Sequence, residues 1–211
     1  MPYKGDATTN NKQSLSEGPP PWLGFQEVAC VGFVDRKVDS KYDNLDVFLE
    51  VHLQNDLSQY PYKYNLLGTF DKDTSGKIDG GSSLLKHINY LSSALLWDGG
   101  VDVQGNWVTA DDEPIDDIQS YLTKNYAQDF DKDKTKSIYC FVYDKWSVKA
   151  KRSYQTVCPK MVVNTPDNQR DLHSYIDYMK ANGYIKEHDA NQPQQAKVIT
   201  NGVTANANTV F

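Results

Sequence analysis

Leu45-Asp46-Val47-Phe48-Leu49-Glu50-Val51-His52-Leu53-Gln54 alternates without a break. Leu45, Val47, Leu49, Val51 and Leu53 stand on one parity; Asp46, Phe48, Glu50, His52 and Gln54 stand on the other. Successive side chains of a strand point to opposite faces, so a period of two means one covered face and one open face. The segment therefore reads as a half-buried strand, and its flanks must supply the partners.

Working outward, residues 25–34 form a β-branched and aromatic run, with Gly32 as a candidate bulge. On the other side, Asn55-Asp56 and Pro61 are turn material, and 62–70 continues the β pattern. The period then changes. Leu84, Leu85, Ile88, Leu91 and Leu95 predict an amphipathic helix over 83–97, stopped by Gly99-Gly100. A short strand pair or loop follows over 101–109, around Gln104-Gly105. A second helix is expected from Pro114, a good first-turn residue, with Asp111, Asp112 and Glu113 at its positive end and Ile115, Ile118 and Leu122 as its stripe. Strand patterning returns over 137–143 and 154–163. A last helix is expected over 168–182, with Leu172, Tyr175, Ile176 and Met179 on one face and Gly183 as its cap.

The order β-β-β-α-α-β-β-α is mainly β with helical insertions (α+β). It matches a five-stranded OB-type barrel, with helices between strands three and four and at the C-terminus. A generic α+β sandwich with helices on one face is the competing arrangement. Residues 1–21 are rich in Asn, Thr, Ser, Gly and Pro and are expected to be a flexible N-terminal arm. Residues 22–188 form the OB-fold domain, and 189–211 read as a flexible tail.

Composition narrows the class. The 211 residues suit one sizeable core. No apolar run approaches the ~20 residues that cross a bilayer, and 1–21 lacks the apolar segment of a secretory signal. Cys30, Cys140 and Cys158 are odd in number and lie in β-like runs, which suits reduced thiols in a cytoplasm. His52, His87, His173 and His188 are scattered, and no Cys or His pair has zinc-ligand spacing.

The net charge of −6 argues against a phosphate-binding protein, but its distribution argues for one. Between Lys134 and Lys160, seven cations face the single carboxylate of Asp144, while acidic residues collect in 39–56 and 98–133. Within the basic stretch, Tyr139, Phe141 and Tyr143 share one strand face. Trp146 sits at the hairpin tip among Lys145, Lys149, Lys151 and Arg152, with Tyr154 and Lys160 behind. Cations that track phosphates beside rings that stack on bases are what grips a single strand, at ~1–3 kcal/mol per stacked base. The other reading is a solvated Lys-rich turn with Trp146 tucked against the barrel. A second candidate surface is Tyr60-Pro61-Tyr62-Lys63-Tyr64 with Arg36, Lys37, Lys41 and Tyr42. There Tyr60, Tyr62 and Tyr64 share a strand face, and a Tyr ladder covering the barrel end is an equal alternative.

Over 22–164 the layout resembles phage-encoded single-stranded DNA-binding proteins of replication and recombination. The features that carry the resemblance are a Gly-containing first strand, an alternating second strand, a third ending in Leu67-Gly68-Thr69-Phe70, a helical insertion and an aromatic, basic final hairpin. The resemblance implies an OB fold and sequence-tolerant binding that protects single-stranded DNA; the residues themselves leave DNA and RNA both open. It also implies replication or recombination proteins as partners and the host cytoplasm as the compartment. One departure is plain. Such proteins often carry an acidic C-terminal tail, and 201–211 holds no acidic residue.

Asp71-Lys72-Asp73-Thr74-Ser75-Gly76-Lys77-Ile78-Asp79-Gly80-Gly81-Ser82 has the spacing of a calcium loop. Asp71, Asp73, Ser75 and Asp79 fill ligand positions, but Ser82 stands where a bidentate Glu is needed, so a polar loop is the default. No nucleophile elbow, phosphate loop or dinucleotide motif is present. Asp98, Asp102, Asp111, Asp112, Asp116 and Asp117 could serve a nuclease, yet Asp111 and Asp112 already suit a helix start. The expectation is a non-enzyme without cofactor, metal or membrane, as monomer or dimer. A virion or scaffold protein with flexible arms, or an interaction domain with a calcium loop, is the alternative.

Overall fold

The computed structural model describes residues 22–38, 40–131, 136–147 and 152–185. The expected arm 1–21 and tail 189–211 lie outside these residues. In chain order the elements are β1 (Gly24–Asp35), β2 (Val47–Gln54), β3 (Tyr62–Gly68), α1 (Ser83–Ala94), β4 (Gly100–Val101), β5 (Trp107–Val108), α2 (Ile118–Tyr126), β6 (Ile138–Ser147), β7 (Arg152–Val157), β8 (Val162–Val163) and α3 (Pro166–Ala181).

A six-stranded antiparallel sheet runs β3-β2-β1-β6-β7, with β8 also on β6; β4 and β5 form a separate pair. Strand β1 is the pivot. Gly24 to Val28 pair with β6, and Ala29 to Asp35 pair with β2. The register slips between Cys30 and Gly32, just past the point where the partner changes. A bulge there bends the strand and increases its twist, so one long strand serves two partners.

The expected closed barrel is corrected. The path ends in two edges, β3 and β7, and among the described residues no ladder joins them. They meet through a side chain instead: the Tyr62 hydroxyl donates to the Gln155 carbonyl at 2.7 Å. The Tyr62 ring packs on Trp22, with centroids 5.5 Å apart.

The predicted core parity of β2 holds, but the opposite face is not open throughout, because Glu50 and Gln54 on it are buried too. Val47, Leu49, Val51 and Leu53 are buried with Val28, Cys30, Phe33, Tyr64, Leu66, Val142 and Val157 in one cluster. Leu84, Ile88 and Leu91 of α1 and Ile118 and Leu122 of α2 belong to the same cluster. Each such side chain contributes ~1.5–3 kcal/mol of hydrophobic stabilisation. A second cluster joins Tyr139, Phe141 and Cys158 to Leu172 and Ile176 of α3 and to Ile185. Strand β6 is therefore covered on both faces, which is why Ile138 to Val142 reads as an unbroken apolar run. All three cysteines are free and buried, and burial pushes the Cys30 and Cys140 thiols up to about 12.

Four boundaries differ from the sequence reading, each for a local reason. Helix α1 stops at Ala94, because Leu96 turns to φ +56° and the Trp97 N–H bonds back to the Ser92 carbonyl, delivering the indole to the core. Helix α2 does not begin at Pro114. That residue bridges to Val108, the Ile115 N–H donates to the Trp107 carbonyl, and Asp117 caps the helix by accepting from the Ser120 N–H at 2.9 Å. The strand expected over 154–163 divides, since the Cys158 N–H still reaches Phe141 but β8 returns to the start of β6. Helix α3 starts two residues early, at Pro166, behind the Thr165 cap. Among the described residues no helix is long and apolar enough to cross a membrane.

Candidate nucleic-acid interface

With one parity of β2 committed to the core, the other faces away from it, with half-buried Phe48 and His52 on either side of a buried Glu50. Its cross-strand pairs are Phe48 with Leu67, Glu50 with Asn65 and His52 with Lys63, and β1 sets Val34 opposite Glu50. Arg36 continues from β1, its N–H donating to the Phe48 carbonyl. Three side chains converge on one oxygen, Oε1 of Glu50: His52 Nε2 at 2.7 Å, Arg36 Nη2 at 3.1 Å and Lys63 Nζ at 3.4 Å. The Glu50 side chain is only 9% exposed, whereas those of Arg36 and Lys63 are 42% and 57% exposed. A sunken carboxylate thus holds more numerous, outward cations. Burial alone would push the Glu50 carboxyl up; hydrogen bonds from His52 and Arg36 and the charges of Arg36 and Lys63 outweigh it and hold the pKa at about 2. At the rim, Tyr42 meets Phe48 edge-on at 4.6 Å, and Lys41 lies over the Tyr42 ring at 4.9 Å.

The β6–β7 hairpin is divided. Tyr139 and Phe141 do not present their rings to solvent, which corrects the expectation that they stack on bases. Phe25 stacks on Tyr139 at 5.7 Å, His173 of α3 stacks on Phe25 at 3.7 Å, and Lys180 covers Phe141 at 4.6 Å. The Tyr139 hydroxyl and His173 Nε2 are hydrogen-bonded at 2.9 Å. The physical reason is the second core, which uses this face of β6 against α3. Tyr143 is half-buried and stacks on Phe141 at 6.1 Å. Farther out, Lys145 and Tyr154 are cross-strand partners, and both are exposed. Lys160 lies over the Tyr175 ring at 4.6 Å. Lys149 and Lys151 fall outside the described residues. Trp146 and Arg152 hold ladder positions opposite Ser153 and Ser147, but their side chains are outside the described set.

In the second surface, Tyr64 is corrected to a core residue at 6% exposure, and Tyr62 is committed to the β3–β7 contact. Tyr60 is exposed before the strand begins. Lys37 is exposed next to Arg36, its N–H bound by the Asp35 carboxylate at 2.9 Å. Phe48, Glu50 and His52 were missed as site residues. Their signal was the alternation itself, which sets a ring and two ionisable groups on the parity opposite the core residues.

The calcium-like loop is a tight hairpin. Lys72 bridges to Ile78, and Asp73 Oδ1 accepts from the Ser75 N–H, the Ser75 hydroxyl and the Lys77 N–H at 2.7–3.0 Å. Asp79 Oδ1 accepts from the Gly81 N–H at 2.7 Å. These hydrogen bonds hold the Asp73 carboxyl below its ordinary range, the Ser75 hydroxyl contributing most. Asp102 shapes a second hairpin the same way, accepting from the Gln104 and Asn106 N–H groups at 2.9 Å. The acidic spacing is thus explained by turn formation. Among the described residues no group of three or more His, Cys, Asp or Glu could hold a metal ion. Comparison with protein-family models, curated proteins and solved structures finds no match to this chain.

Proposed function

We propose that the chain binds single-stranded nucleic acid, DNA first, without catalysing a reaction. The ligand would lie across the outer face of β2 and β3, framed by the β1–β2 loop and the β6–β7 hairpin. What carries the reading is the set Arg36, His52 and Lys63 around Glu50, on the face that also bears Phe48. The strand path supports it: a three-strand meander whose first strand also pairs with a later hairpin is the order of a partly open OB barrel, and such barrels bind oligonucleotides on strands two and three and the loops 1–2 and 4–5. The protective role in phage replication or recombination, in a host cytoplasm, goes with this reading.

Titration of tryptophan fluorescence with single- and double-stranded oligonucleotides tests it. Binding should be sequence-tolerant, favour the single strand, and weaken steeply with salt. Arg36→Ala with Lys63→Ala should flatten the log–log salt slope by about 1.4, at ~0.7 per phosphate contact on a single strand. Phe48→Ala should cost about 1–3 kcal/mol while leaving the slope nearly intact. Absence of binding at low salt rejects the function, and an unchanged slope in the double variant rejects this face.

A further inference from the structure

We propose that a cleft beside this face receives the cationic side chain, arginine or lysine, of a partner protein. The cleft encloses about 340 Å³ between the β1–β2 loop and the insertion that carries β5 and the start of α2. A space of this order falls in the ~300–1,000 Å³ range of small-ligand pockets, enough for one long side chain and its flanking peptide. Phe48 and Trp107 are aromatic lining residues, and Asp35, Asp46 and Asp116 bring three carboxylates against the single cation of Lys37.

The surroundings reinforce the sign. From 99 to 123 the chain holds six carboxylates and no lysine or arginine. Asp35 accepts from the Lys37 N–H through Oδ1, and Asp46 accepts from the Phe70 N–H through Oδ2. Backbone bonds therefore fix both carboxylates in place while their charge remains. Rings beside fixed carboxylates attract a guanidinium or ammonium group by cation–π and charge–charge interaction together. A phosphate would meet repulsion from the same wall, so charge complementarity selects a basic protein segment over a nucleic acid. The inference does not depend on the nucleic-acid reading.

The experiment uses the full chain, calorimetric titration at low salt, and a short uncharged-backbone peptide bearing one arginine. The same peptide with citrulline, the neutral isostere, serves as the comparison. The arginine peptide should bind saturably at one site, and citrulline should weaken it at least tenfold. Asp35→Asn with Asp116→Asn should weaken it at least tenfold as well. The amide oxygen introduced by Asp35→Asn can still accept from the Lys37 N–H, and Asp116 is exposed, so both changes keep the fold. Asp167→Asn with Asp171→Asn, on exposed positions of α3, removes equal charge elsewhere and should change affinity less than twofold. Equal binding of arginine and citrulline peptides overturns the proposal. So does an equal loss in the α3 variant, or an oligonucleotide whose binding, unlike the peptide's, depends on Asp35 and Asp116.

Discussion

Glu50→Gln isolates the electrostatic work done at the centre of the β2 face. Glutamine keeps the size of the side chain and an acceptor oxygen for Arg36 and His52, but it removes the charge. The carboxyl is lowered from 4.5 to about 2 in the folded protein. At about 1.36 kcal/mol per unit, ionisation is favoured in the folded state by about 3 kcal/mol. The folded value is the lower one, so this stabilisation is fully present above the unfolded pKa near 4.5 and is lost as pH falls towards 2. Glutamine retains part of the hydrogen bonding, so the variant should lose about 2–3 kcal/mol at pH 7. Near pH 2.5, where the wild-type advantage has largely gone, the gap should shrink to below about 1 kcal/mol. Urea unfolding followed by tryptophan fluorescence at pH 7, 4 and 2.5 gives both numbers. A gap of the same size at every pH would mean that packing, not charge, ties Glu50 to its neighbours. No gap at pH 7 would mean that Arg36, His52 and Lys63 are held by something other than the Glu50 charge.

Other perturbations probe the frame. Tyr62→Phe keeps the ring on Trp22 but removes the donor to Gln155, so it should cost about 0.5–1.5 kcal/mol and speed hydrogen exchange in β7; unchanged exchange would show that the β3–β7 contact does not hold that edge. Gly99→Ala would set a methyl 2.4 Å from both the Val108 carbonyl oxygen and Trp97 Nε1, and backbone cannot yield as a side-chain tip can. It should cost at least about 2 kcal/mol in chemical unfolding, and a neutral result would contradict the close approach. Gly105→Ala meets φ +95° and a Phe70 ring carbon at 3.2 Å, and should cost about 1–2 kcal/mol by the same measurement.

The first three strands were legible because β2 and β3 commit alternate residues to the core and β1 is rich in β-branched and aromatic residues. Even the bulge beside Gly32 could be read, since a glycine inside a β-branched run often marks one. What stayed hidden came from tertiary competition. Tyr139 and Phe141 looked like a stacking platform, because parity says that two residues share a face but not what covers it; the cover is a helix that begins at Pro166, 25 residues beyond Phe141 in the sequence. Pro114 and three acidic residues looked like a helix start, yet Thr109 closes a turn over the same segment, taking the Glu113 N–H at 3.2 Å and giving its own N–H to the Glu113 carbonyl. A local signal that two motifs share cannot choose between them. Closure of the sheet was likewise out of reach, because it depends on whether two edges far apart in sequence meet by backbone or by a side chain.

Net charge is a poor guide to what any one surface of this molecule would attract, and distance explains why. At physiological salt the Debye length is about 8 Å, so a ligand responds to the charges immediately around it and little to the total of −6. Around Glu50 the local excess is positive; along 99–123 it is entirely negative. On the two proposals, a phosphate chain and a basic peptide would be drawn to different sides of one loop. Phe48 belongs to both sides, since it lines the cleft and also carries the edge contact with Tyr42. A residue common to two sites gives each ligand a way to act on the other, and equilibrium linkage makes the effect equal in both directions. If a basic partner seats against Phe48 and moves Tyr42, the change it makes in single-strand affinity must be the change the strand makes in affinity for the partner.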